Sequence, residues 1–187
     1  NEEMFPEYKD NFDRIRPAGM ILGYPVIDLK SSTRCLDIGI EGYPDYDKID
    51  FGQVHPNVDP ADIFVRENNK TYVNFEIAMN AYMFGGYPTD EQIYQYSLQN
   101  HVTDTTPPAF IWHGGEDGLI YPRNSFMFAE ALREHNVPCE LHVFGKGGHG
   151  LGLANEVTEN NPWEVNEQCA MWPELAVDWI KSILRQQ

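Results

Sequence analysis

The chain has 187 residues, 42% hydrophobic and 22% charged, a globular composition with room for one domain and an insertion within it. Its formal charge is −16, from 13 lysines and arginines against 29 acids, with the basic residues scattered rather than clustered. Such a surface repels a phosphate backbone, and no apolar run approaches the ~20 residues of a membrane span, so neither a nucleic-acid nor a membrane partner is expected. In chain order, a polar stretch over 1–17 leads to AGMILGYPVI at 18–27, whose near-continuous apolar run predicts a strand buried on both faces. PPAFIWH at 107–113 and CELHVF at 139–144 predict two more strands of the same kind, and such runs separated by helices point to a parallel sheet. Between these two, Phe126, Ala129, Leu132 and Arg133 fall at helical spacing with Phe128 alongside, and Asn136-Val137-Pro138 closes the helix. Strand, helix, strand in about 35 residues is a βαβ unit. Trp172, Leu175, Ala176, Trp179, Ile180, Ile183 and Leu184 mark a final amphipathic helix, with Pro173 in its first turn.

The gap from Asp28 to Thr106 is too long for a simple crossover. Helical patches at 74–84 and 90–96, the second opened by Thr89, lie within it. Residues 30–90 are therefore expected to form an inserted cap, placed over the carboxyl ends of the strands. Its aromatics, among them Tyr43, Tyr46, Phe51, Phe64, Tyr72, Tyr82 and Tyr87, suit either a small core of the cap or a platform for sugar rings.

Cys35, Cys139 and Cys169 are too few and too odd in number for a disulfide scaffold, and no cysteine or histidine spacing suits zinc. Asp45, Asp47 and Asp50 miss the spacing of a calcium loop. No metal is expected. Asn69-Lys70-Thr71 is a glycosylation sequon with meaning only in a eukaryotic secretory setting. The start at Asn1 carries no targeting signal, and the compartment cannot be read from the sequence.

Two loops following predicted strands carry the candidate chemistry. GGEDG at 114–118 follows the second, and GKGGHGLG at 145–152 follows the third. Functional groups of open α/β sheets collect beyond the carboxyl ends of strands, and adjacent strands lie ~4.8 Å apart. Asp117 and His149 should therefore emerge side by side. A carboxylate beside an imidazole can orient one ring nitrogen and leave the other as a base.

GGHGLGL at 147–153 and HGGEDGLIYPRNS at 113–125 resemble the C-terminal motifs of the α/β-hydrolase superfamily. More narrowly they resemble small acetyl-esterase or acetylxylan-esterase-like carboxylesterases of bacteria. RPAGMILGYPVI at 16–27, NHV at 100–102 and WPELAVDWI at 172–180 fit the same family. The resemblance implies a Ser–His–Asp hydrolase without a cofactor, acting on a small acyl ester or an acetylated sugar. His149 would be the base and Asp117 the acid, with Glu116 and Asp28 as alternative acids.

The nucleophile of that superfamily sits in G-x-S-x-G. None of Ser31, Ser32, Ser97, Ser125 and Ser182 has this glycine frame. Ser31-Ser32 has the right order in the chain but lacks the flanking glycines. His113-Gly114-Gly115 imitates an oxyanion motif yet occupies the acid loop, where a structural role is expected. The chain is thus expected to be the C-terminal part of an α/β-hydrolase domain, inactive alone. The nucleophile would come from an N-terminal segment or a partner chain. A bare edge of buried-type sheet should pair with that missing part or with a second copy. A prolyl-oligopeptidase-type serine peptidase and a binding module without a nucleophile are the alternatives.

Overall fold

The computed structural model describes residues 16–30, 57–67 and 70–185. The elements in chain order are β1 (Met20–Gly23), a one-turn helix α1 (Pro60–Ile63), β2 (Phe64–Glu67), β3 (Lys70–Val73), α2 (Phe75–Phe84), α3 (Asp90–Tyr96), β4 (Ala109–Gly114), α4 (Arg123–Glu134), β5 (Cys139–Phe144) and α5 (Trp172–Leu184). β1, β4 and β5 form a parallel sheet in that order, with Met20 beside Ala109 and Ala109 beside Cys139.

β4 is central and every residue of it is buried. Its alternating side chains divide the core in two, as strand geometry requires. Ala109 and Ile111 pack with Phe128, Ala131 and Leu132 of α4. Phe110 and Trp112 pack with Ala176 and Trp179 of α5, and Trp112 stacks on Trp172 with centroids 5.3 Å apart. Helices thus cover both faces. Each large side chain buried in this way contributes roughly 1.5–3 kcal/mol.

β1 departs from the expected strand in two ways. It ends at Gly23, because Tyr24 takes a left-handed conformation (φ 39°) while its N–H still bonds to the Trp112 carbonyl. It is also incompletely buried, with Ile21 43% exposed, since among the described residues β1 is an edge strand.

The buried face of α4 also differs from the expected one. Phe126 is exposed, and Asn124, Ser125, Phe128, Ala131 and Leu132 face inward. Two polar residues hold core positions because each satisfies a partner elsewhere. Asn124 Oδ1 accepts from the Ile27 and Asp28 N–H groups at 2.8 and 3.0 Å, and Ser125 meets His113.

Between β1 and β4, β2 and β3 form an antiparallel hairpin that the sequence pattern does not announce. α2 opens on an Asn74 cap, and α3 on a Thr89–Gln92 capping box. Val58, Ile63 and Ala81 form a small separate core, with Phe64, Ile77 and Ala78 against it. Tyr82 and Tyr87 are exposed rather than packed in this core. α2 and the residues after α3 are tied to the segment just beyond β1: Asn80 donates to the Leu29 carbonyl, Leu29 N–H donates to Ser97 Oγ, and Leu98 N–H donates to the Ile27 carbonyl. Tyr43, Tyr46, Phe51, the acidic run at 45–50, Asn69, Cys35, Ser31 and Ser32 lie outside the described residues.

Candidate active site

The loops after β4 and β5 touch through their backbones. Gly115 N–H donates to the Phe144 carbonyl at 2.6 Å and Glu116 N–H to the Gly147 carbonyl at 3.0 Å. A Cβ on Gly114 would stand 2.3 Å from the Gly147 carbonyl oxygen, so this approach requires a glycine. Gly147 itself has φ +103°, a conformation that side chains rarely adopt. Cys169 is buried beneath the second loop and its thiol donates to the Lys146 carbonyl. Burial pushes that thiol up to about 11, so it remains a neutral packing group.

These loops bring Asp117 and His149 together. His149 Nδ1 lies 2.9 Å from Asp117 Oδ2. A carboxylate only accepts, so Nδ1 carries the proton and Nε2 keeps its lone pair. No described residue bonds to Nε2, and the His149 side chain is 29% exposed. The ring of Tyr24 packs edge-on against it, with centroids 4.8 Å apart. The imidazole is therefore held on one side, with Nε2 unbonded by any described residue.

Asp117 is buried and fully engaged. Oδ1 accepts from the Leu119 and Ile120 N–H groups at 3.0 and 2.8 Å, and Oδ2 from His113 Nε2 at 3.1 Å as well as from His149. Burial by itself raises a carboxyl group. The bonds from His113, His149 and Ile120 outweigh it and hold Asp117 at about 2, ionised under ordinary conditions.

The alternative acids are elsewhere. Glu116 is exposed and paired with Lys146, which holds its carboxyl below the usual range. Asp28 is buried beyond the end of β1, where it accepts from the Lys30 N–H and from Ser97 Oγ. The hydrogen bond that His149 makes is to Asp117. Of the described serines, Ser97 is committed to the β1 end, Ser125 to His113 and Ser182 to the Trp179 carbonyl. None is bonded to His149. His113 is buried at the end of β4 with both ring nitrogens engaged. No sequence pattern announces its bond to Asp117. Tyr24 has no sequence signal at all. Among the described residues no cluster of three or more His, Cys, Asp or Glu could hold a metal ion.

A cavity of about 290 Å³ opens beside the site, between Tyr24, Trp112 and Trp172 and against Ile21 and Gly23 of the β1 edge.

The family model described as "Prolyl oligopeptidase family" matches residues 64–162. Endo-1,4-beta-xylanase B of Butyrivibrio fibrisolvens is 46% identical over 74 residues, which are 40% of this chain and 12% of that protein. Among solved structures, a carboxylesterase from Lactobacillus plantarum is 28% identical with a TM-score of 0.61, covering 97% of this chain and 50% of that one. An acetyl ester-xyloside bifunctional hydrolase from Caldicellulosiruptor lactoaceticus is 27% identical with a TM-score of 0.57, covering 90% of this chain and 43% of that one. The chain thus spans about half the length of the solved relatives it matches. Its parallel sheet with flanking helices is the corresponding part of an α/β-hydrolase fold.

Proposed function

The chain belongs to the prolyl oligopeptidase family, and from that footing we propose that it supplies the acid–base half of a serine hydrolase that removes short acyl groups, acetyl above all, from sugars. The observation that carries this reading is the 2.9 Å bond from His149 Nδ1 to a buried, ionised Asp117, with Nε2 unbonded by any described residue. In this mechanism Nε2 of His149 takes the proton of a serine hydroxyl as the oxygen attacks the ester carbonyl. Asp117 stabilises the imidazolium. The proton then passes to the departing sugar oxygen as the C–O bond breaks, leaving an acyl-serine. Water repeats the cycle, giving up its proton to His149 and releasing the acid and the free serine.

The serine and the oxyanion donors are proposed to come from a segment outside these 187 residues. The described serines have other partners, and no G-x-S-x-G occurs in the chain. The acyl-ester reading is supported by the likeness to a carboxylesterase and to an acetyl ester-xyloside hydrolase. The matching family model favours a second reading, in which the same pair cleaves a peptide bond.

A substrate panel separates the two. The polypeptide carrying this chain and its nucleophile is expected to release acetate from acetylated xylo-oligosaccharides and from 4-nitrophenyl acetate, and to leave proline-containing peptides intact. Peptide cleavage without ester cleavage would favour the second reading, and absence of both would remove the hydrolase reading.

A further inference from the structure

The acid–base pair leaves one buried imidazole unexplained. His113, at the end of β4, is wholly inaccessible to solvent. A polar ring costs free energy there unless each nitrogen is satisfied. Nε2 lies 3.1 Å from Asp117 Oδ2 and 2.8 Å from the Ile120 carbonyl oxygen. Neither group has a proton to give, so Nε2 carries the hydrogen and shares it between them. In the neutral ring Nδ1 is then the acceptor, 2.7 Å from Ser125 Oγ, whose hydroxyl donates to it. Ser125 sits in the first turn of α4 and is itself fully buried. The result is a directed chain in which Ser125 donates to His113, His113 donates to Asp117, and His149 donates to the same carboxylate oxygen.

We propose that His113 is a positioning residue for the acid–base pair, fixed by Ser125 as the Nε2–H tautomer so that Asp117 Oδ2 is aimed at His149 Nδ1. The proposal rests on the reading of His149 and Asp117 given above. Its physical content is the shared oxygen. Oδ1 is pinned by two backbone N–H groups of the 119–120 turn. Oδ2 would otherwise meet only the partly exposed ring of His149. A second, buried donor on Oδ2 fixes the carboxylate plane before His149 arrives. It also draws on the negative charge of that oxygen, which leaves the proton with His149 rather than with the acid. Ser125 extends this control to α4, so the helix that covers one face of the sheet also sets the site.

The test uses the polypeptide that carries the nucleophile, assayed with 4-nitrophenyl acetate. His113→Phe keeps an aromatic ring but no donor, and kcat is expected to fall roughly 10²-fold with KM unchanged, the scale of a misplaced catalytic group. His113→Gln restores an N–H near Nε2 and should recover part of the loss. Ser125→Ala keeps the imidazole and should lower kcat several-fold with little change in Tm. Imidazole ¹⁵N spectra of the wild-type protein are expected to show His113 protonated at Nε2 and bare at Nδ1. If His113→Phe fails to fold, Ser125→Ala and the spectrum decide. A proton on Nδ1, or folded variants with unchanged kcat in a protein whose hydrolysis still depends on His149, would overturn the role of His113 alone. Hydrolysis indifferent to His149→Ala would overturn this role together with the reading beneath it.

Discussion

At the scale of single residues, the site depends on two loops approaching more closely than side chains permit. Gly114 is the point of contact, and a methyl group there would collide with backbone rather than with a side chain that could move aside. Gly114→Ala should therefore force the loops apart, costing about 1–3 kcal/mol of stability, as overpacking does. The His149–Asp117 bond should loosen with it. Gly145→Ala is the control, because nothing lies within 4 Å of a Cβ at that position, and a change under about 0.5 kcal/mol is expected there. Chemical denaturation of both variants checks the contrast, and equal costs would mean that the approach at Gly114 is not tight. Asp117 and His149 could be found in the sequence because each lies just past an apolar run in a short glycine-rich loop. Glu116 could not be set aside by sequence. Whether an acid points inward or toward Lys146 is decided by the turn of the loop and not by residue type. Tyr24 was illegible for a related reason, since a tyrosine with positive φ gives no compositional cue.

At the scale of elements, periodicity carried the regular pieces. α5 spans the residues its apolar stripe marks, α2 and α3 start at their capping residues, and β5 matches its apolar run. Helical spacing over α4 selects Phe126, Ala129, Leu132 and Arg133, with Phe128 alongside, because periodicity counts mainly apolar residues. The helix instead turns Asn124 and Ser125 inward to satisfy the Ile27–Asp28 backbone and His113. The β2–β3 hairpin carries no apolar alternation that would announce it. α2 also holds a titration that can be tested. Burial, and then the negative charge of Asp28, raise Glu76 to about 6. Its folded value lies above the ordinary one, so its contribution to stability is complete below about pH 4 and is lost as pH rises through about 6. Above that range the ionised group is a burden. Glu76→Gln should therefore stabilise the protein near pH 7.5, by on the order of 1 kcal/mol after allowance for a half-buried group, and should be neutral near pH 4. Unfolding curves at the two pH values check the sign, and a gain at pH 4 alone would reverse the assignment.

At the scale of the whole molecule, the sheet ends at β1 among the described residues. Ile21 is exposed on that edge, and the 290 Å³ cavity opens against it beside Tyr24. The relatives of known structure are about twice as long. In the proposed mechanism His149 and Asp117 act on a serine held outside these 187 residues. Labelling with a fluorophosphonate serine probe tests it most directly. The 187-residue chain alone is expected to take no label. A polypeptide joining it to the proposed nucleophile-bearing segment is expected to take one label per chain, on a serine of that segment, and to lose it on His149→Ala. Stoichiometric labelling of the 187-residue chain alone, mapped to Ser31 or Ser32, would contradict the account.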